Sequence, residues 1–120
     1  PAMNGLYATM TTQHPYLDEA SQPIRFWANK YKTKFNEDPT VFSVYGYNIV
    51  DMFAQAAGKA GANLTTDSFI KVMDTMKVAP DIFGTPELTF GPQKRLGSMA
   101  SRLSQIQDGR WKVVSEYVSP

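Results

Sequence analysis

Apolar residues at helical spacing predict the first of three helices. One set recurs at i, i+3, i+4, i+7 and i+11, which places its members on a single stripe of an amphipathic helix. Ser21 is a suitable N-cap, Pro23 is tolerated in a first helical turn, and an earlier start at Asp18 fits equally well. The segment 36–39, Asn-Glu-Asp-Pro, is a stop signal. The stripe consists of Ile24, Trp27, Ala28, Tyr31 and Phe35.

The second predicted helix is apolar on most of its circumference. It runs from about Ser43 to Lys59, and Gly61 follows its end as a C′ residue. A helix with two apolar surfaces is buried on most sides. These surfaces consist of Ile49, Met52, Phe53, Ala56 and Ala60, and of Tyr45, Val50, Ala54 and Ala57.

A third, shorter helix and several short extended segments complete the pattern. Thr66 is expected to cap this helix, and Asp67 in its first turn suits the helix dipole. Its apolar side carries Phe69, Ile70, Met73 and Met76. Extended segments are predicted at 6–11, near the start of the chain, and at 87–90, within a stretch punctuated by glycine and proline.

The dipeptide Asp108-Gly109 predicts a β-hairpin near the end of the chain. It is flanked by the segments 102–107 and 110–117, and a two-residue loop of this composition favours a type I′ turn. In that register Ile106 lies opposite Trp111. Apolar residues occur on both faces of the hairpin, so both faces are expected to be partly covered.

The element order is strand, three helices, loop and hairpin, which predicts an α+β class for the chain taken alone. Residues 1–120 are expected to form a single partial domain. Three helices and one hairpin present more apolar surface than they can cover among themselves. We therefore expect either missing chain or another copy of this chain to cover the remainder.

Composition and charge narrow the class of protein. The 120 residues are 42% hydrophobic and 19% charged, which is typical of a globular chain. The net charge is +1 and the basic residues are scattered, so nucleic-acid binding has no support. The lysines at 30–34 are interpreted as a solvated helix face. The chain has no cysteine, which excludes disulfides and cysteine-based zinc sites.

The start of the chain shows no secretory signal pattern. It opens at Pro1 without an initiator methionine and enters an extended apolar run almost at once. We expect this to be a trimmed or excised piece of a longer protein. No apolar run approaches the roughly 20 residues that a membrane span requires.

Candidate catalytic and metal-binding residues are few. His14 is the only histidine, it precedes a proline, and it is more simply a solvated loop residue than a ligand of a metal. Asp18 and Glu19 are adjacent, so a helix would aim them about 100° apart, and Asp51 is interpreted as a helix-surface charge. No nucleophile elbow, dinucleotide fingerprint or Walker pattern occurs. We therefore expect neither an enzyme nor a cofactor.

Five segments, taken in order, resemble one protein family. The chain is similar to the C-terminal portion of type I periplasmic solute-binding proteins, the branched-chain amino acid and extracellular ligand-binding receptor family of ABC transporters. No single segment is specific, but the series spans nearly the whole chain. The segments are Asn4–Met10, Phe35–Pro39, Val44–Val50 followed by Ala56–Gly61, Gly84–Gly91, and Ile106–Trp111.

The resemblance implies a two-lobe α/β fold in which the lobes close on a ligand and the chain crosses between them three times. Residues 1–80 would contribute helices to the first lobe, and residues 81–120 would supply a crossing segment and the terminal hairpin of the second. It also implies a periplasmic location, capture of a small solute such as an amino acid or aromatic acid by hinge closure, and membrane subunits of the transporter as partners.

The resemblance also places candidate ligand contacts at the rim of the cleft between the lobes. These are Val44, Tyr45 and Tyr47 at the start of the second helix, and Thr11, Gln13 and His14 after the first strand. A tyrosine offers a flat apolar face and one hydroxyl to a ligand. Core packing at the helix start is the alternative for the first three.

Two other functions stay open at this point. One is a sensory or regulatory module of the same fold, and the other is an interaction domain without a small ligand. A signal peptide upstream with nothing after Pro120 would favour transport, and a ligand screen on the full-length chain would separate the first two functions from the third. Most polar anchors of the ligand would lie upstream, so the isolated piece is expected to bind no small ligand tightly. Because of its uncovered apolar surface, it is expected to be homo-oligomeric or to need the missing N-terminal part.

Overall fold

The computed structural model describes residues 1–120 and contains three α-helices, one short 3₁₀ turn and five short strands. The prediction of an α+β chain with three helices and a C-terminal hairpin is confirmed. In chain order the elements are β1 (Tyr7–Met10), α1 (Gln22–Phe35), α2 (Val41–Ala60), the 3₁₀ turn (Gly61–Asn63), α3 (Thr66–Met73), β2 (Lys77–Val78), β3 (Leu88–Thr89), β4 (Arg102–Gln107) and β5 (Arg110–Val113).

Two antiparallel sheets organise the strands. Strands β1, β4 and β5 form one sheet with β4 in the centre, and β2 pairs with β3 in a second, two-stranded sheet. The hairpin register is confirmed, because Ile106 pairs with Trp111. Asp108 and Gly109 both have positive φ angles, 53° and 75°, which is the signature of a type I′ turn. The N-terminal strand thus lies beside the C-terminal hairpin.

Replacing Gly109 by valine tests the turn. A β-branched residue strongly disfavours a positive φ, so we expect Gly109→Val to lower the free energy of unfolding by about 1–2 kcal/mol. No atom outside the adjacent residues lies within 4 Å of a Cβ built at Gly109, so the loss comes from the backbone rather than from a clash. Urea denaturation measures it. Gly58→Val, in the last turn of helix α2 and equally free of neighbours, is the control and should not destabilise the chain.

The helix starts differ from two of the sequence-based predictions. Helix α2 begins at Val41 rather than near Ser43, because Thr40 is the N-cap and Ser43 completes a reciprocal capping box with it. The cap of α3 is Thr65, not Thr66. The Thr65 hydroxyl accepts a hydrogen bond from the Ser68 amide (3.1 Å), and Ser68 Oγ accepts one from the Thr65 amide (2.9 Å).

Helix α1 follows the expected boundaries. Ser21 stands at the N-cap with extended backbone, although its side chain makes no capping hydrogen bond. The helix ends at Phe35, and its C-cap Asn36 adopts the left-handed conformation with φ 56°. Met76, assigned above to the apolar side of α3, lies beyond the end of that helix at Met73 and is nevertheless buried.

The core of the chain is small. Ile24 from α1, Val44 from α2 and Phe83 from the loop after β2 are fully buried against one another, and Trp27 packs beside them. Only 11 of the 120 residues are buried, so most of the apolar content stays near or at the surface. None of the helices combines the length and the apolar character that crossing a membrane requires.

The chain forms a thin slab with an unusually large surface. Its extents are 53 × 38 × 19 Å and its radius of gyration is 16.5 Å, against about 13.6 Å for a compact domain of this length. The accessible surface is 7982 Å², whereas a monomer of this mass has about 6,500 Å². Large apolar side chains account for much of the exposed area, among them Phe26, Phe42, Ile49, Val50 and Phe53.

Candidate functional site

Three separate chain segments meet where β1 ends, and we call them the junction: residues 11–13, residues 81–85 and Tyr117. The Gln13 amide donates a hydrogen bond of 2.9 Å to the carbonyl of Phe83. The Tyr117 hydroxyl lies 3.1 Å from the carbonyl oxygen of Thr11 and also contacts that of Gly84. Residues far apart in the sequence are therefore joined at this point by backbone carbonyls rather than by paired strands.

Asp81 shapes the middle segment of the junction. Its carboxylate accepts hydrogen bonds from the Phe83 amide (2.9 Å), the Thr85 amide (3.2 Å) and the Thr85 hydroxyl (3.0 Å). These bonds close a compact turn in which Gly84 takes a φ of 72°, a conformation that favours glycine. The Asn48 amide of α2 donates to Thr85 Oγ1 (3.3 Å) and ties the turn to the helix.

Tyr117 and Arg102 form a stacked pair at the junction. The Arg102 guanidinium carbon lies 4.7 Å from the centre of the Tyr117 ring. Burial raises the pKa of the Tyr117 hydroxyl above its usual value, so this group stays protonated at neutral pH and acts as a donor. The Nε and Nη2 atoms of Arg102 are buried without a hydrogen-bond partner. A Cβ at Gly84 would overlap Nη2, so the guanidinium occupies the space that this glycine leaves.

A groove opens between helix α2 and the segment 78–100, and we call it the α2 groove. Its volume is about 510 Å³ and its lining is largely apolar. The polar groups along it come from the junction and from α2, and include Thr11, Asn48, Asp81 and Thr85. An apolar cleft with a few convergent polar groups is the usual form of a site for a small organic ligand.

The structure distributes the predicted ligand contacts over several places. Thr11 and Tyr45 both line the α2 groove. Tyr47 lies between α1 and α2, with its ring centre 5.6 Å from that of Trp27 and 6.3 Å from that of Phe83. Val44 is fully buried in the core, so its side chain packs and is not accessible in this conformation.

His14 and Gln13 line a separate, polar cavity of about 510 Å³ below the hairpin. The His14 ring packs on Tyr16, whose other neighbour is the Arg110 guanidinium at 4.2 Å. Burial, and then the charge of Arg110, lower the pKa of His14, so it is neutral at pH 7. Arg110 pairs with Asp18 at 2.7 Å, and its hydrogen bond lowers the pKa of that exposed carboxyl. No group of three acidic or histidine side chains is arranged to hold a metal.

Sequence reasoning missed three residues that build the junction: Asp81, Arg102 and Tyr117. A signal for Asp81 was present, because Pro80-Asp81 with Gly84 three residues later is a turn pattern. Arg102 and Tyr117 carried no comparable signal. Their contact depends on the pairing of Ser101 with Val118, which lies outside the named strands.

A comparison with protein-family models matches residues 1–110 to a model described as periplasmic binding protein. The chain belongs to the periplasmic binding protein family. The resemblance to periplasmic solute-binding proteins drawn from the sequence is therefore confirmed. Members of this family are periplasmic or extracellular.

Solved structures of the family share the fold over almost the whole chain. A solute-binding protein of an ABC transporter from Rhodopseudomonas palustris, in complex with 3,4-dihydroxybenzoic acid, superposes with a TM-score of 0.71 at 19% identity over 98% of this chain. A branched-chain amino acid ABC transporter protein from Thermus thermophilus with bound valine gives 0.70 at 14% identity over 99%. A leucine-binding protein from Thermotoga maritima gives 0.59 at 17% identity over 99%.

This periplasmic-binding-protein chain spans about a third of the length of those structures, namely 32%, 34% and 32%. At these identities the likeness establishes the fold alone. Comparison with curated protein sequences gives no match.

Proposed function

We propose that these 120 residues are the C-terminal part of the substrate-binding component of an ABC transporter, and that the whole protein captures an amino acid or a related small organic acid by hinge closure. The observation that carries the proposal is the junction beside the α2 groove. Two segments without regular secondary structure, residues 11–13 and 81–85, connect the helical part with the hairpin sheet at the point where the α2 groove opens. A hinge needs a few connecting segments next to the cleft that it closes.

In this proposal residues 1–80 contribute helices to the first lobe, and residues 81–120 supply the return crossing and the terminal hairpin of the second. The protein would work in the periplasm and deliver its ligand to the membrane subunits of the transporter. The relatives with 3,4-dihydroxybenzoic acid and with valine support a small carboxylate as the class of ligand.

Among the predicted ligand contacts, Thr11 and Tyr45 are the two that line the α2 groove. The Tyr45 side chain is partly exposed along the groove, and Thr11 stands at the junction itself. A ring face and a hydroxyl suit an apolar or aromatic ligand body with polar ends. The Tyr47 ring packs on Trp27 and Phe83, so Tyr47 would support the groove from behind rather than contact the ligand. His14 lines the second cavity.

A binding experiment tests the function. We expect the full-length protein to bind at least one of L-valine, L-leucine and 3,4-dihydroxybenzoate, with a higher melting temperature in its presence. Tyr45→Ala should weaken that binding about tenfold or more, the loss that corresponds to roughly 1.4 kcal/mol. Tyr7→Ala, at an exposed tyrosine of β1 outside the groove, is the control and should leave the Kd unchanged.

Residues 1–120 alone should bind none of these ligands tightly, because most polar anchors lie elsewhere in the proposed protein. Calorimetry measures this directly. Micromolar binding by the isolated chain, or a Tyr45→Ala variant of the full-length protein with an unchanged Kd, would contradict the proposed site.

A further inference from the structure

One hydroxyl at the junction serves two acceptors. Tyr117 has a single proton to donate, yet its oxygen lies within hydrogen-bonding distance of the carbonyls of Thr11 and Gly84. These carbonyls belong to the two different segments that connect the helical part with the hairpin sheet. We propose that Tyr117, together with Arg102, is a positioning residue that sets how the two crossing segments lie against each other, an inference that rests on the proposed hinge.

The geometry makes Tyr117 the shared point of both segments. A neutral hydroxyl can donate to one carbonyl fully or divide its proton between two. Any rotation of one lobe that moves Thr11 relative to Gly84 changes which acceptor receives the proton. Besides Tyr117, the crossing segments are joined by the backbone bond from Gln13 to Phe83. The Tyr117 hydroxyl therefore contributes a large share of the polar contacts that a hinge motion would rearrange.

Arg102 holds the ring of Tyr117 in place without being satisfied itself. Its guanidinium is wedged between the ring and Gly84, and its Nε and Nη2 atoms have no acceptor. Arg102 also has no carboxylate partner; four of the twelve lysine and arginine side chains of the chain have one. The paired cations are Lys32 with Asp38, Arg95 with Asp74, Arg110 with Asp18 and Glu19, and Lys112 with Asp108.

Arg102 is partly buried, and leaving its buried Nε and Nη2 atoms without acceptors is destabilising, whereas a methionine of similar volume avoids this penalty. Stability of this conformation therefore does not account for an arginine at this position. In the proposed hinge motion the carbonyl oxygens of the crossing segments would move relative to the guanidinium, and the arrangement in which they reach Nε and Nη2 would be favoured. In this proposal Arg102 changes the relative free energies of two arrangements of the junction, and it does not stabilise the arrangement described here.

Spin-label distances between the two lobes of the full-length protein test this inference. The 120 residues contain no cysteine, so labels attach at Lys59→Cys on α2 and Lys112→Cys on β5, both exposed. We expect Tyr117→Phe to broaden the distance distribution of the unliganded protein. It should also change the Kd for whichever probe binds, among L-valine, L-leucine and 3,4-dihydroxybenzoate, by about fivefold, the effect of one neutral hydrogen bond. Tyr7→Phe, an exposed tyrosine in the same sheet, should change neither.

Arg102→Met separates positioning from packing. We expect an unchanged or higher Tm together with an altered distance distribution, and Arg102→Lys, which keeps the charge without the planar stack, should give an intermediate distribution. A lower Tm with an unaltered distribution would assign Arg102 to packing and overturn its part of the inference. Unaltered distances with Tyr117→Phe and a Kd within twofold of the parent would overturn the rest. If no probe binds, the proposed function fails, while the unliganded distances still decide the roles of Tyr117 and Arg102.

Discussion

Replacing Phe83 by alanine is expected to lower the free energy of unfolding by about 3–4 kcal/mol. Phe83 is fully buried in a core of only three residues, with Ile24 and Val44. Its ring also makes an edge contact with Trp27 at 5.0 Å between ring centres. The loss is large because so small a core has little neighbouring material that can collapse into the cavity.

Urea denaturation of the parent and the variant measures this loss. Phe42→Ala on α2 is the matched control, since 77% of the Phe42 side chain is exposed in this chain. In residues 1–120 alone the control should change the stability by about 0.5 kcal/mol or less. Equal losses in the two variants would show that Phe83 is not the centre of the core. The backbone carbonyl of Phe83, which accepts the hydrogen bond from the Gln13 amide, is kept in the alanine variant, so the measured loss reports the side chain.

Residues 1–120 on their own are expected to associate, either with further copies or with the N-terminal part of the protein. The accessible surface of 7982 Å² exceeds that of a compact monomer of this mass by about 1,500 Å². At about 25 cal/mol per Å², leaving 600 Å² of apolar surface in water forgoes on the order of 15 kcal/mol, as much as a whole domain's stability. The exposed faces of α1 and α2 supply this surface, through Phe26, Phe42, Val50 and Phe53.

Light scattering at micromolar concentration measures the association. We expect a mass above 13.4 kDa for the chain alone, and a one-to-one complex when the N-terminal part is added. Val50→Ser combined with Phe53→Ser should shift the chain toward its monomer, whereas Lys59→Ser, an exposed change on the same helix, should not. A clean monomer mass with a cooperative melt for the unaltered chain would refute the prediction and weaken the proposal that the chain is part of a longer protein.

The spacing of apolar residues and the turn dipeptide predicted the helices and the hairpin well, because these elements are determined by residues that are close in the sequence. The stripe of α1 and the type I′ turn at Asp108-Gly109 are local features, and both occur where expected. The starts of α2 and α3 were misplaced by one or two residues. In each case several adjacent residues can cap a helix, and the choice among Thr40 and Ser43, or Thr65 and Thr66, is made by the reciprocal capping box.

The residues of the candidate site were predicted less completely from the sequence than the elements of the fold. Thr11 and Tyr45 both line the α2 groove, and their contact with a ligand stays a prediction. Val44 and Tyr45 are adjacent on one helix and therefore point in different directions, so burial of the first and partial exposure of the second could not be assigned without knowing where Phe83 lies. The Arg102–Tyr117 pair depends on the register of chain ends that are distant in the sequence, for which no local pattern exists.

The pairing of β1 with β4 also governs how the chain is made. Tyr7 pairs with Gln105, so the first strand emerges from the ribosome with nearly the whole segment still to be translated before its neighbour exists. Closing a loop of about 95 residues costs on the order of 4 kcal/mol in chain entropy, which favours earlier settling of the three helices. Until β4 (Arg102–Gln107) has been synthesised, the edge of β1 that later pairs with it is open to other chains. We therefore expect the nascent chain to be most prone to association during this interval.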